Sequence, residues 1–198
     1  PGIEVVGLLS TLNARYDRVA MHATRSELLR RQATATGLPL HTLELPDPCS
    51  NEQYAAIMGG FVAGLPVKGI DCIAFGDLFL EDIRNYREKQ LAGTGIEPIF
   101  PLWQIPTSEL AMMMLDGGLE TYISCVDLQK IPVGFAGRRW SYELLEELPE
   151  GVDPCGENGE MHTIVIDGPM FDTRIDMEIG KIVQRDGFAY ADIIPIGM

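Results

Sequence analysis

The sequence predicts an α/β protein with a mostly parallel sheet of about five strands, helices on both faces, and a small antiparallel appendage near the C-terminal end. Over the first two thirds of the chain, short apolar runs alternate with longer amphipathic segments, which is typical of β-α-β units. After about residue 131 the pattern changes to a polar, glycine-rich stretch followed by two short strands. We therefore expect a domain boundary near residue 130.

The parallel strands are predicted by five short apolar runs. These runs cover residues 5–9, 40–45, 70–75, 97–102 and 121–126. The segments between them are long enough for the helical crossovers that parallel strands require. Two later runs, residues 163–167 and 190–194, predict the antiparallel appendage, with turns at residues 168–169 and 185–187.

Helix boundaries are predicted from capping residues. Thr24 and Ser50 each begin a capping box, in which side chains pair with free backbone amides at the start of a helix. Gly37 is expected to end the first helix. The later predicted helices run from Ser50 through Phe61 and over residues 81–91, 109–115 and 141–148.

The helix predicted over residues 81–91 is unusually dense in charge. Its spacing places Arg84, Arg87 and Glu88 on one face. Opposite charges at this spacing stabilise the exposed surface of a helix.

The composition is that of a folded protein that can bury a full hydrophobic core. The chain has 198 residues, of which 46% are hydrophobic and 22% are charged. Its 15 Lys and Arg residues against 29 Asp and Glu residues give a formal net charge of -14. An acidic chain of this kind is repelled by phosphate backbones and by anionic membranes. We therefore expect neither a broad nucleic-acid interface nor a membrane partner.

The cysteines and the lack of long apolar runs indicate the compartment. Cys49, Cys72, Cys125 and Cys155 lack the close spacing of metal sites, and nothing suggests a disulfide framework. No apolar run approaches the ~20 residues that span a bilayer, and the first residues form no basic targeting segment. We expect a reducing, cytoplasmic location.

Small, polar and aromatic residues follow the predicted strands, at the edge where parallel sheets bind ligands. They are Ser10 and Thr11 after the first strand, Gly76 and Asp77 after the third, Trp103 after the fourth, and Asp127 after the fifth. Such groups around one crevice suit a nucleotide. We therefore expect residues 1–130 to form a nucleotide-binding domain and residues 131–198 a substrate-binding region.

Two short elements are candidate sites for phosphate and metal. Gly76 lets a phosphate approach the backbone, and Asp77 can hold Mg²⁺, which takes one or two carboxylates plus substrate phosphates. A plain strand-to-helix turn is the alternative. His22 and Arg25 flank a predicted helix start, where free amides and the helix dipole favour an anion. A solvated helix cap is the alternative there.

The most information-rich segment is residues 153–162, which gathers a thiol, carboxylates, an amide and an imidazole around glycines. A hairpin turn at Asn158 and Gly159, leading into the next strand, is the structural alternative. Cys155 is a candidate nucleophile if it has a base and a lowered pKa, and His162 is its neighbour in sequence.

Three motifs occur in order along the chain. They are Gly-Asp-Leu-Phe-Leu-Glu-Asp-Ile-Arg at residues 76–84, Phe-Pro-Leu-Trp at residues 100–103, and Cys-Gly-Glu-Asn-Gly-Glu-Met-His-Thr at residues 155–163. This set resembles the diphthine–ammonia ligase family, and more narrowly its bacterial relatives described as adenine nucleotide alpha hydrolases or PP-loop ATP pyrophosphatases. Residues 22–25 also approximate a His-Gly-Val-Arg-like element of that family.

The resemblance implies an ATP-dependent ligase that forms an amide. A carboxylate is adenylated, pyrophosphate leaves, and ammonia attacks the acyl adenylate, while Mg²⁺ offsets charge on the pyrophosphate. The partners implied are ammonia and a small-molecule or protein carboxylate, and a homodimer stays open. The implied site residues are Ser10 and Thr11 near the adenosine, Asp77 as a metal or phosphate ligand, and Glu157, Asn158 and Glu160 at the acyl-acceptor end.

One element of the family is not found in these residues. The PP-loop, a Ser-Gly-Gly-Lys-Asp-Ser pyrophosphate cradle, would precede Pro1, so we expect the native chain to carry further residues upstream. The alternative is a protein that does not bind the ATP phosphates in the way usual for the family. Two other functions stay open. A non-catalytic adenine-nucleotide-binding module would not need the carboxylate-rich segment, and a PP-loop tRNA-modifying enzyme is disfavoured by the net charge of -14.

Overall fold

The computed structural model describes residues 2–15, 18–19 and 24–197. Within these residues the chain is an α/β protein with three separate sheets. Two of the sheets contain one parallel pair of strands each, and the third is antiparallel. The predicted α/β class is therefore confirmed, whereas a mostly parallel sheet of five strands is not found among the described residues.

The first sheet is built around β1 and β3, which pair in parallel. Its elements are β1 (Leu8–Asn13), β2 (Arg18–Val19), α1 (Ser26–Thr36) and β3 (Leu40–Leu45). The register runs from Leu8 opposite Leu40 to Asn13 opposite Leu45. The first strand was expected over residues 5–9, but pairing with β3 extends it to Asn13. Ser10 and Thr11 consequently lie inside β1 and not beyond its end.

The start of α1 differs from its prediction, and its end does not. Arg25 is the N-cap residue, with an extended backbone and no side-chain cap, so the capping box predicted from Thr24 is wrong. The Thr24 carbonyl instead accepts a hydrogen bond from the Val19 N–H at 2.8 Å, which keeps this segment extended. Gly37 ends α1 with φ 67, as predicted.

The second sheet is the parallel pair of β4 and β5. This part of the chain contains, in order, α2 (Asn51–Val62), β4 (Cys72–Ala74), α3 (Glu81–Leu91) and β5 (Glu97–Ile99). The capping box at the start of α2 is confirmed, because Ser50 and Gln53 exchange side-chain and backbone hydrogen bonds. The bounds of α3 are those predicted. This helix is the crossover that allows β4 and β5 to run in the same direction.

The third sheet is antiparallel, and β6 is its central strand. This part of the chain contains, in order, α4 (Thr107–Asp116), β6 (Glu120–Asp127), β7 (Arg139–Trp140), α5 (Tyr142–Glu147), β8 (Met161–Asp167), β9 (Met177–Arg185) and β10 (Phe188–Pro195). β8 pairs along most of β6, while β7 and β10 pair with its two ends. β9 and β10 form a hairpin through the predicted turn.

The strand predicted over residues 121–126 was expected to be the fifth parallel strand, and this is wrong. It is β6, which pairs antiparallel with β7, β8 and β10. Ile123, Cys125 and Val126 are all buried, and a run buried on both faces does not reveal the direction of its neighbours. Asp127 therefore ends an antiparallel strand and does not border a parallel sheet.

Buried side chains connect the N-terminal helix to the C-terminal strands. Leu28 of α1 is fully buried in a cluster with Ile164, Ile166 and Ile193 of β8 and β10. A larger cluster contains Ile123 and Val126 of β6. In the part of the chain that the structure describes, no helix has the length and apolar character of a membrane span.

Candidate active site

The turn after β4 carries Gly76 and Asp77, the candidate phosphate and metal residues. Residues 76–80, hereafter the 76–80 turn, connect β4 to α3. Gly76 is exposed, and a Cβ placed there would meet no atom within 4 Å. Open space therefore adjoins its backbone, as the approach of a phosphate requires.

The Asp77 carboxylate lies beside Arg87 of α3. Asp77 Oδ2 is 3.5 Å from Arg87 Nε, and the two side chains are 17% and 28% exposed. Neither of these two buried atoms has a hydrogen-bond partner within the described residues. The pair is loose, so the carboxylate oxygen can still accept a donor or a cation.

A second segment, residues 153–160, meets the 76–80 turn and is hereafter the 153–160 loop. Oε1 of Glu157 accepts a hydrogen bond from the backbone N–H of Leu78 at 2.8 Å. The carbonyl of Leu78 accepts one from the Gln104 N–H, also at 2.8 Å. Both backbone groups of Leu78 are therefore bonded, and the turn is held from two sides.

The Glu157 carboxyl is close to two other acidic side chains. Burial raises its pKa, the backbone amides of Leu78 and Phe79 partly offset this, and the charges of Asp77 and Asp153 raise it further. The charges of two aspartates thus act on the Glu157 carboxyl where the turn and the loop meet. Phosphates would enter such a site most easily together with a cation.

Glu160 lies inside the 153–160 loop and not on its surface. It is 2% exposed. Its Oε1 accepts hydrogen bonds from the Asp153 N–H at 3.3 Å and from Asn158 Nδ2 at 3.1 Å. Its Oε2 is buried and has no partner among the residues that are described. Glu160 therefore organises the loop, whereas Asn158 is exposed.

The loop is not the simple hairpin considered as an alternative, because β8 pairs with β6 and not with the segment before the loop. Gly156 has a left-handed backbone conformation, with φ 72. A Cβ at this position would lie 2.7 Å from the Met161 carbonyl oxygen, so only glycine fits. Lys130 also holds the loop, because its Nζ donates a hydrogen bond to the Asn158 carbonyl at 2.8 Å.

Cys155 has the chemistry of a buried thiol. Its Sγ donates to the Thr107 carbonyl at 3.4 Å. Burial, together with the charges of Asp153 and Glu157, raises the pKa of the thiol to about 12. A nucleophilic cysteine needs a lowered pKa, so this environment argues against that role for Cys155.

The N-terminal candidate residues lie elsewhere. Ser10 and Thr11 are in β1, opposite Thr42 and Leu43 of β3, in a different sheet from β4. His22 lies outside the described residues.

Arg25 is already paired in the structure. Its Nε and Nη2 donate to the two carboxylate oxygens of Asp192 at 2.9 and 2.6 Å. Arg18 Nη2 adds a contact to the same carboxylate at 3.3 Å. The phosphate contact predicted for Arg25 would have to compete with this ion pair.

The fit to Mg²⁺ rests on Asp77. Within the described ranges, no three His, Cys, Asp or Glu side chains form a group that could hold a metal ion. Mg²⁺ commonly needs only one or two protein carboxylates when substrate phosphates and waters complete its shell. The buried oxygen of Asp77 that lacks a hydrogen bond fits that limited requirement.

One group of residues was missed by sequence reasoning. Arg84 and Glu88, which the spacing placed on one face of α3, form an ion pair at 2.8 Å from Nε to Oε1. The structure adds that the Arg84 guanidinium also lies over the rings of Phe100 and Trp103. The sequence signal for this group consists of two aromatic residues and a nearby helix that contains arginines. Phe100 directly follows β5, Trp103 comes three residues later, and α3 carries Arg84 and Arg87.

Comparison with known proteins confirms the family resemblance. Residues 107–193 match the family model described as diphthamide synthase C-terminal domain. The matched segment includes the 153–160 loop. A diphthine–ammonia ligase of Danio rerio is 28% identical, over 81% of this chain and 69% of the relative. Those of Rattus norvegicus and Homo sapiens are 22% and 21% identical, each over 90% of this chain and 68% of the relative.

Proposed function

We propose that this chain, which is similar to diphthine–ammonia ligases over most of its length, acts as an ATP-dependent ligase that forms an amide from a carboxylate and ammonia. The proposal is carried by one observation. The 153–160 loop, which lies in the segment matching the family model, is hydrogen-bonded through Glu157 to the 76–80 turn. This contact supports a single site that includes the candidate acceptor loop and the candidate phosphate turn.

The reaction proceeds in two displacements. A carboxylate oxygen of the acceptor attacks the α-phosphorus of ATP, and the bond to the β-phosphate breaks to release pyrophosphate. Ammonia then attacks the carbonyl carbon of the acyl adenylate, AMP leaves with the former carboxylate oxygen, and the nitrogen loses a proton. Because water would hydrolyse the mixed anhydride, the site must exclude water between the two steps.

Asp77 is the residue we assign to the phosphate side of the site. Mg²⁺ bound with ATP would reduce the repulsion between phosphates and carboxylates and would stabilise the departing pyrophosphate. Gly76 leaves room for the phosphates beside the backbone. We also propose, from the family resemblance, that Ser10 and Thr11 in β1 lie on the adenosine side.

The acceptor side is assigned to the 153–160 loop. Asn158 is its exposed polar residue and is available to contact a substrate. Glu157 and Glu160 act through the loop itself, since both carboxylates already accept hydrogen bonds within the protein. In this proposal residues 1–130 carry the nucleotide and residues 131–198 carry the acceptor.

The test is the release of pyrophosphate by protein supplied with ATP, Mg²⁺, ammonia and a panel of carboxylates. We expect release that depends on one class of carboxylate, and a loss of about 100-fold in Asp77→Asn. The exposed Asp172 gives a matched control, because Asp172→Asn makes the same chemical change away from the site. Tight ATP binding without release under any condition would instead identify a nucleotide-binding module.

A further inference from the structure

The Arg84 guanidinium is held in place by two aromatic rings. Its central carbon lies 4.9 Å from the centre of the Phe100 ring and 4.8 Å from that of Trp103. The two rings meet edge to face, with their centres 6.0 Å apart and an angle of 63° between them. Contacts of this kind restrict a planar cation to one orientation.

One edge of this guanidinium has no partner in the described part of the chain. Nε donates to Glu88 Oε1 at 2.8 Å, but no described residue pairs with the two terminal nitrogens, and the side chain is 36% exposed. Arg138 and Arg174 differ, because the terminal nitrogens of each reach carboxylates at 2.7 to 3.2 Å. Arg84 therefore offers a fixed and unused pair of donors.

The position of Arg84 connects it to the proposed site. Phe100 directly follows β5 and stacks at 5.6 Å on Phe75, which directly follows β4. The Arg87 guanidinium lies over Phe75 at 4.9 Å, and its Nε is 3.5 Å from Asp77. A continuous row of contacts thus runs from Asp77 to Arg84. It lies at the carboxyl ends of two parallel strands, where ligands bind in α/β sheets.

We propose that the terminal nitrogens of Arg84 bind a phosphate group, supplied either by ATP or by the pyrophosphate that the reaction releases. A planar guanidinium matches phosphate oxygens with two parallel hydrogen bonds. In a chain with a net charge of -14, a multiply charged anion needs a local cation whose donors are already oriented. Which reaction the phosphate serves rests on the proposed function, whereas the site itself rests on the geometry of Arg84.

The experiment is calorimetric titration of the protein with pyrophosphate, ATP and acetate at constant ionic strength. Fluorescence of Trp103, followed in a Trp140→Phe background, reports whether the ligand binds near Arg84. We expect saturable binding of ATP to the unaltered protein. The affinity for ATP should fall by about tenfold or more in Arg84→Gln, because two charge-assisted hydrogen bonds are lost. Arg185→Gln is the matched control. Arg185 also lies over an aromatic ring, that of Tyr190 at 5.5 Å, but on the β9–β10 hairpin.

The titrations with pyrophosphate and with ATP together identify the source of the phosphate. Pyrophosphate binding that depends on Arg84 supports a site that also holds the product, and binding of ATP alone supports a site for the intact nucleotide. Arg84→Lys keeps the charge but removes the planar pair of donors, so it should bind about as weakly as Arg84→Gln, and it replaces that variant if the glutamine fails to fold.

Three results would overturn the proposal. These are affinity unchanged in Arg84→Gln or Arg84→Lys, acetate binding as tightly as pyrophosphate and ATP, and no binding of either phosphate compound to the unaltered protein. Titration needs no turnover. Binding that depends on Arg84 without pyrophosphate release would therefore contradict the ligase and not this site, whereas release with a normal affinity in Arg84→Gln would contradict this site alone.

Discussion

The Glu157 side chain connects two segments that are 79 residues apart in the sequence, through its bond to the Leu78 amide. Removing it in Glu157→Ala should leave the Leu78 and Phe79 amides without their acceptor. We expect a loss of about 1–3 kcal/mol in the free energy of unfolding, the usual cost of an unsatisfied buried group. Amide hydrogen exchange, followed residue by residue, should show faster exchange at Leu78 and Phe79.

The control for this variant is Glu150→Ala, which removes an exposed carboxylate just before the 153–160 loop. Glu157→Gln keeps an oxygen acceptor and should retain most of the protection at Leu78. The pKa of Glu157 is raised in the folded protein, so its ionisation costs stability as the pH rises through that pKa, and Glu157→Gln should remove this decline. Unchanged exchange at Leu78 in Glu157→Ala would contradict the assigned contact.

Cys155 should be inert toward thiol reagents at neutral pH. Its pKa of about 12 leaves almost no thiolate, and burial keeps the pKa of Cys125 at about 11. Labelling with iodoacetamide at pH 7.5 and mass spectrometry should find Cys49 modified well before Cys155 and Cys125. Rapid labelling of Cys155 in the folded protein, or loss of pyrophosphate release in Cys155→Ser, would restore its candidacy as a nucleophile.

At the scale of elements, the 153–160 loop depends on one glycine for steric reasons. Gly156 and Gly159 both have positive φ, at 72 and 79, so alanine is strained at either position. Only at Gly156 would the new Cβ collide, 2.7 Å from the Met161 carbonyl oxygen. Gly156→Ala should therefore lower the free energy of unfolding by about 1–3 kcal/mol more than Gly159→Ala. Equal losses, measured by urea denaturation, would contradict the described loop.

The ion pair between Arg25 and Asp192 ties the start of α1 to β10. The Arg25 guanidinium lowers the pKa of Asp192, so the pair stabilises the fold above the ordinary carboxyl pKa of 3.8. This stability is lost as the pH falls through the lowered pKa. Asp192→Asn should cost on the order of 1 kcal/mol at pH 7, since the pair is partly exposed.

Urea denaturation at pH 7 and at pH 3 measures this difference. The loss caused by Asp192→Asn should be smaller at pH 3, because this pH lies below the ordinary carboxyl pKa of 3.8, so that unfolding takes up a proton and the pair contributes less stability. Glu147→Gln, which breaks a more exposed pair with Arg138, is the comparison. An equal loss from Asp192→Asn at both pH values would show that the ionic contact contributes nothing.

Local elements were predictable from the sequence wherever the signal was itself local. The capping box at Ser50, the end of α1 at Gly37 and both bounds of α3 depend on neighbours within a few residues. The direction of β6 was not predictable in this way, because its partners β8 and β10 lie far along the chain. Residues buried on both faces carry no mark of a parallel or an antiparallel neighbour.

At the scale of the whole molecule, the site is made by contacts between distant segments. The composition of the 76–80 turn and of the 153–160 loop marked each of them as chemically interesting, but no spacing rule places Glu157 against Leu78. The aromatic support of Arg84 by Phe100 and Trp103 likewise depends on how α3 packs beside β5. The sequence therefore predicted the parts of the site, and the fold was needed to show which parts meet.

The central claim is that ATP is cleaved by attack of a carboxylate on its α-phosphorus. It is tested most directly by running the reaction with ATP, Mg²⁺, ammonia and an active carboxylate in water enriched in oxygen-18. Mass spectrometry then measures the oxygen-18 content of the AMP. Because AMP takes its new oxygen from the carboxylate, we predict unlabelled AMP, formed together with pyrophosphate and the amide. Labelled AMP, or ADP and phosphate as the products, would contradict the claim.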